Sequence, residues 1–256
     1  MRRLSFKYLL LVLLLLLVMP FGATAEKPLK AACNIKFPPF SYLDEAGVAT
    51  GFDVEITKAL CKEMQVECDL VLMPFSQIIP AMSRGELDMA VASLARTEER
   101  ASVIDFTDYY YRSCNIFITK HDYARNEVPA FLEGKKVGAQ LDTIQEEYLQ
   151  KNYAERVELI LHPTFESLFI SLRAGKVDAI FVDALAGYSA LNTDLGQEFE
   201  PVGEVVTTGQ EQENARIGVT KNNPQLREDL NRAIQAIVRS GEYEQIRRKY
   251  FDFNLY

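Results

Sequence analysis

Apolar positions along this chain follow two alternating patterns. Short continuous apolar runs read as strands with both faces covered, and stripes spaced three and four apart read as helices. Strands are predicted over residues 29–34, 67–73, 115–119, 136–139, 157–161 and 216–220. The stripe Ile56, Ala59, Leu60 and Met64 predicts a helix starting at Gly51-Phe52-Asp53, with Asp53 as its N-cap. Further helices are predicted over residues 143–151 and 184–191, and two more from Pro224 onward. Shorter helical segments are predicted over 97–100 and over 128–132, the latter stopped by Gly134. The pair Pro38-Pro39 breaks the first strand because proline cannot donate to a sheet. Asp44 to Gly47 reads as a turn, and Phe106 to Tyr111 as a lead into the strand at 115. This alternation predicts an α/β fold with largely parallel sheets.

One unit of the pattern occurs twice, ninety residues apart. Phe75 begins a segment that passes through Gly85 and Asp88 and ends at Ser93. Phe165 begins one that passes through Gly175 and Asp178 and ends at Asp183. Apolar positions 78, 79, 82, 87, 89 and 91 match 168, 169, 172, 177, 179 and 181. Each copy reads as a helix, a glycine stop and a buried strand. Two copies predict two similar lobes, and two lobes enclose a cleft where a ligand can sit. Crossings between lobes are expected near 111–115 and 205–209. Residues 26–112 and 208–256 then form lobe 1, and 113–207 form lobe 2.

The first 25 residues stand outside this scheme. Arg2, Arg3 and Lys7 precede an apolar run from Leu9 to Met19, too short to span a bilayer, and Ala23-Thr24-Ala25 follows as a cleavage site. Residues 1–25 therefore read as a secretory signal peptide. Lys30 spoils a lipobox at Cys33, and no second apolar run of membrane length follows, so no stable membrane anchor is expected. Removing three cations and no anion takes the formal charge from −8 to −11. That balance argues against nucleic acid or an anionic membrane as partner.

Cysteine usage agrees with export. Cys61 and Cys68 fall near a helix end and the entry to the next strand. In an oxidising compartment a disulfide is expected there, stapling the two elements. A zinc site lacks partners: His121 and His162 are the only histidines and no Cys-x-x-Cys occurs. No metal or cofactor is expected. Cys33 and Cys114 remain open between a second bridge and buried thiols.

Several segments in order along the chain carry a family likeness. They are Phe37 to Phe40, Gly51-Phe52-Asp53, the Cys61–Cys68 spacing, Ser93-Leu94 followed by Thr97 to Arg100, and Asp105-Phe106-Thr107. Val137-Gly138, Thr143, Gln145, Asp183 and the tail Lys249 to Phe253 continue the series. In these the chain resembles the periplasmic amino-acid-binding proteins of ABC importers, nearest the lysine/arginine/ornithine- and histidine-binding group, over residues 28–256. The resemblance implies a two-lobed periplasmic-binding-protein fold with a hinge and a central ligand cleft. It implies a monomeric periplasmic protein that captures a polar, basic-type amino acid (arginine, lysine, ornithine or histidine). The captured ligand is delivered to an ABC importer permease, and the protein itself is not an enzyme.

An amino acid presents a carboxylate and an ammonium at fixed separation, so its site needs a cation and an anion. Arg100 fits the first role, because a guanidinium grips a carboxylate through two parallel hydrogen bonds. A solvated surface arginine is the competing reading. Asp183 ends an apolar strand, where open α/β sheets bind ligands, and suits the ammonium; an ordinary helix N-cap is its rival. Ser93 stands at the matching strand end of lobe 1. Thr143 opens a helix whose amide groups favour an anion, and Gln145 belongs to the same motif. The resemblance makes Phe37 and Phe75 apolar walls for the ligand's stem; plain core packing is their rival.

Four positions depart from the family pattern. Asn34 stands where the basic-amino-acid binders often carry an aspartate aimed at the ligand's distal charge. Asp142 replaces a glycine-like residue, Ala95 a hydroxyl residue and Arg96 an apolar one. Asn34, Ala95 and Arg96 weaken lysine or arginine as the ligand and open the field to other polar amino acids, while the Asp142 charge opposes a carboxylate near Thr143. Glu98-Glu99 and Glu146-Glu147 read as solvated helix faces. Two other classes remain as alternatives: a periplasmic dehydratase on the same fold, which needs a general acid in the cleft, and a ligand-sensing domain.

Overall fold

The computed structural model describes residues 27–120, 131–209 and 214–255. The leader at 1–25 and positions 128–130 of the short helix expected before Gly134 lie outside the described residues.

Lobe 1 opens with β1 (Leu29–Asn34), the small hairpin β2 (Tyr42–Leu43) and β3 (Ala49–Thr50), and α1 (Phe52–Glu63). It continues through β4 (Cys68–Met73), α2 (Phe75–Ser83), β5 (Met89–Ala95), α3 (Glu98–Val103) and β6 (Ile104–Arg112). Lobe 2 holds β7 (Asn115–Lys120), β8 (Lys136–Gln140), α4 (Ile144–Tyr153), β9 (Glu158–His162) and α5 (Phe165–Arg173), then β10 (Ala179–Asp183), α6 (Ala184–Leu191) and β11 (Phe199–Val206). The chain returns to the first sheet with β12 (Asn214–Thr220), α7 (Pro224–Ser240) and α8 (Glu242–Arg247).

The two five-stranded sheets have the orders β4-β1-β5-β12-β6 and β11-β7-β10-β8-β9. They are less parallel than the alternation predicts. β1 runs parallel to β4 and β5, and β8 parallel to β9 and β10. β12 is antiparallel to β5 and β6, and β7 antiparallel to β10 and β11. A parallel neighbour needs a crossover, usually a helix. β7 follows β6, and β12 follows β11, with no helix between them among the described residues. Phe106 to Tyr111 is not a lead-in but part of β6. The sequence pattern also overlooks β11, an edge strand that carries Pro201 and has half of its residues exposed.

Alternation within the buried strands separates two packing faces. In β5, Met89 and Val91 join one core while Ala90, Ala92 and Leu94 join another, under α2. In β10, Ile180 and Val182 face the first core, and Ala179 and Phe181 a third. Sheets covered on both faces produce the continuous apolar runs seen in the sequence.

The two echo copies fold alike. α2 and α5 each span nine residues and stop before Gly85 and Gly175, at φ of 71° and 66°, and each leads to a central strand. α7 begins with Asn223 as N-cap and proline at its first turn, and ends on left-handed Gly241. Its apolar face, including Leu230, Ile234 and Ile237, is buried, so the C-terminal segment completes lobe 1. The Tyr243 hydroxyl donates to the Tyr110 carbonyl at 2.7 Å and ties α8 to β6. The Cys61–Cys68 disulfide joins the end of α1 to the start of β4. Cys33 forms no bridge with Cys114: its thiol lies against the Thr57 hydroxyl, and burial pushes it far above its ordinary range.

Candidate functional site

A cleft of about 700 Å³, its mouth included, opens between the lobes. Every residue expected at the site lines it: Asn34, Phe37, Phe75, Ser93, Arg100, Thr143, Gln145 and Asp183. The strand ends β1 and β5 and the starts of α2 and α3 supply the lobe 1 wall. The end of β10 and the starts of α4 and α5 supply the lobe 2 wall.

Arg100 lies in the first turn of α3, whose N-cap Thr97 accepts the Arg100 amide. The side chain turns inward and is 9 % exposed, not solvated. One terminal nitrogen donates to the Ala95 carbonyl at 2.8 Å, the other across the cleft to the Asp142 carbonyl at 2.7 Å. The guanidinium sits 5.4 Å above the Phe75 ring. Burial pulls it down to about 10, against the upward pull of Glu147, Asp142 and Glu99, so it stays cationic at neutral pH. Five N–H donors leave some for a ligand after both carbonyls are served.

Asp183 performs both roles offered to it. Its Oδ1 accepts the Ala186 amide at 3.0 Å and caps α6, while the carboxylate lines the cleft. Burial raises it to about 6, opposed by hydrogen bonds from Ser113 and from the Ala186 and Leu185 amides. Arg100 and Asp183 are the only charged side chains among the described residues that line this cleft, and they come from opposite lobes.

Ser93 has left-handed backbone, φ 55°. Its amide donates to the Tyr110 hydroxyl at 3.1 Å and its own hydroxyl to Asp53 Oδ2 at 3.0 Å, while Tyr110 donates to Asp53 Oδ1 at 2.7 Å. Asp53 is therefore not an N-cap. Gly51 caps α1 without a side-chain bond, and Asp53 turns into the lobe, fully buried, as the acceptor beneath the cleft floor. Burial lifts it to about 8 against the hydrogen bonds from Tyr110 and Ser93, with Asp183 adding to the rise. Ser93 lines the cleft, and its hydroxyl oxygen has lone pairs to offer as an acceptor.

Thr143 caps α4 by accepting the Glu146 amide, and donates to the Gln140 carbonyl at 2.6 Å. Asp142 takes the left-handed conformation, φ 62°, and its exposed side chain stays out of the cleft. Glu146 does more than face solvent: it accepts the Asp142 amide at 2.6 Å and closes the first turn of α4. Gln145 donates to Asn115 Oδ1 at 2.6 Å, tying α4 to β7. Arg96 pairs with Glu98 at 2.8 Å outside the cleft and does not oppose a basic ligand there.

Phe37 stacks on Phe40 at 5.1 Å and meets Phe165 edge-on at 5.4 Å across the lobes. Phe165 is a wall residue that the sequence does not single out, although the echo sets it in register with Phe75. Tyr111, Ser113, Asn115 and Gln140 also line the cleft. Tyr111, Ser113 and Asn115 lie at the crossing between lobes and Gln140 ends β8, places that leave no local signature.

The bacterial extracellular solute-binding proteins, family 3, match residues 29–253. The chain is 33% identical over 237 residues to the L-arginine-binding protein of Pseudomonas aeruginosa, covering 91% of each. It is 29% identical over 246 residues to the histidine-binding periplasmic protein of Salmonella typhimurium, covering 92% of each. An ancestral arginine-binding protein bound to arginine superposes with a TM-score of 0.82 at 30% identity, covering 89% of this chain and 99% of that one. The chain belongs to family 3 of the bacterial extracellular solute-binding proteins.

Proposed function

We propose that this family 3 solute-binding protein captures a polar amino acid of the basic group, arginine foremost, and hands it to the permease of an ABC importer. The observation that carries the reading is the charge balance of the cleft: one cation, Arg100, faces one anion, Asp183, across two lobes. A zwitterion satisfies both, and only when the lobes are closed. Arg100 holds the ligand carboxylate, aided by the amides at the start of α4 behind Thr143. Asp183 and the Ser93 hydroxyl hold the ammonium. Phe37 and Phe75 flank the stem, Asn34 meets the distal group, and Gln145 braces the hinge side through Asn115. Relatives that bind arginine or histidine support this choice of ligand.

The lobes divide at residues 26–112 with 208–256, and 113–207, and hinge where β6 meets β7 and β11 meets β12. The ligand bridge shifts the population toward the closed form. The mature chain is a periplasmic monomer released from a cleaved leader of 25 residues; among the described residues no helix is long and apolar enough to cross a membrane.

A thermal-shift panel of amino acids on mature protein, refolded to strip ligand, tests the reading. The chain has no tryptophan, so an external dye reports unfolding. A ligand at about a thousandfold excess over Kd stabilises by roughly 4 kcal/mol, which for a chain this long is on the order of 8–16 °C. A flat panel from folded protein overturns the assignment.

A further inference from the structure

We infer that the cleft selects its ligand by a planar, hydrogen-bond-donating side-chain tip and not by positive charge, so that a ureido side chain is accepted beside a guanidinium and a primary ammonium is rejected. This rests on the amino-acid-binding reading above.

Asn34 carries the argument. It ends β1 and lines the cleft at 2 % exposure, and its Oδ1 has no hydrogen-bond partner. A buried acceptor left unpaired is costly, and a ligand donor placed there recovers the loss. The aromatic ring of Phe37 lines the cleft from the same lobe, and that of Phe165 from the facing one.

The chemistry of the remaining wall decides the class of donor. Arg100 and Asp183 are the only charges lining the cleft among the described residues, and the ligand's own carboxylate and ammonium engage them. Asp53 does not line the cleft: it is turned away beneath the floor and bonded to Tyr110 and Ser93. A distal cation therefore meets no counter-charge. A lysine or ornithine ammonium is compact and strongly hydrated, and burying it beside a neutral amide is unfavourable. A guanidinium is flat and weakly hydrated, lies against aromatic rings, and donates to Oδ1. A ureido group has the same shape and donors without the charge. The Asn34 amide also has N–H groups to return to the ureido carbonyl, which a carboxylate at this position lacks.

Titration calorimetry on ligand-stripped mature protein tests this with arginine, citrulline, lysine, ornithine and norleucine. Arginine and citrulline are expected within about tenfold of each other. Lysine, ornithine and norleucine are expected to bind at least about thirtyfold more weakly than arginine. Asn34→Asp should strengthen lysine and ornithine by about tenfold or more and weaken citrulline. Asn34→Leu, which keeps volume and removes the acceptor, should bring arginine and citrulline to the level of norleucine. Wild-type protein that binds lysine as tightly as arginine and ignores citrulline overturns the inference, as does an Asn34→Leu variant that keeps the wild-type order. Folded protein that binds no member of this panel overturns the inference, and one that also shows no shift with any amino acid of the thermal-shift panel overturns the amino-acid reading itself.

Discussion

Asp183 joins a structural duty to a binding duty, and two substitutions separate them. Asparagine caps helices as well as aspartate does, so Asp183→Asn keeps the bond to the Ala186 amide and removes only the charge. Alanine removes both. In ligand-stripped protein the carboxyl titrates at about 6, above its ordinary 3.8, because burial disfavours the ion. Its contribution to stability is fully present below pH 3.8 and is lost as the pH rises through 6. The rise from 3.8 to about 6 corresponds to at most about 3 kcal/mol, less as water enters an open cleft. Asp183→Asn should therefore already be more stable than wild type at pH 5, about halfway through that window, and more so at pH 7.5. Asp183→Ala should fall below Asp183→Asn by about 1 kcal/mol at both, for want of the cap. Binding moves the other way. Without the carboxylate the ligand ammonium is buried unpaired, and affinity drops by roughly 2–5 kcal/mol in both variants. Urea unfolding of ligand-stripped protein at the two pH values and calorimetric titration with arginine read these effects. Wild-type affinity in Asp183→Asn, with stability lost only in Asp183→Ala, would reduce Asp183 to a helix cap and refute the assignment.

Two further outcomes follow from the floor of lobe 1. The Asp53 carboxyl is raised to about 8 by burial, so its contribution is present below pH 3.8 and lost as the pH rises through 8. The stability of Asp53→Asn relative to wild type should then climb by about 1.4 kcal/mol per pH unit between pH 5 and 8 in urea unfolding, and a flat difference would show an ordinary carboxylate there. Gly51 adopts φ +117°, and a Cβ added to it would lie 2.3 Å from the Phe40 carbonyl oxygen. Gly51→Ala should lose more than about 2 kcal/mol, since neither backbone can yield cheaply; a loss under about 0.5 kcal/mol by the same assay would contradict the close approach.

Residue spacing along the chain was enough to mark the buried strands, the longer helices and their repetition. Runs with both faces apolar give the central strands, and the Phe75 and Phe165 copies give two like lobes, because local burial pattern is written in local residue spacing. It also placed Arg100 and Asp183 at the ends of predicted elements, where side chains reach a cleft. The tertiary structure alone decided how those elements pair. β7 and β12 run antiparallel to their neighbours where the chain passes between lobes with no helix before them among the described residues, and no residue pattern marks that passage. It alone turned Asp53 from a helix start to the buried acceptor of Tyr110 and Ser93, residues 57 and 40 positions away. It alone joined Arg100 to the Asp142 carbonyl and left Asn34 without a partner for its oxygen. Each of these depends on which distant groups burial brings within hydrogen-bond reach, a property of the folded arrangement and not of neighbours along the chain.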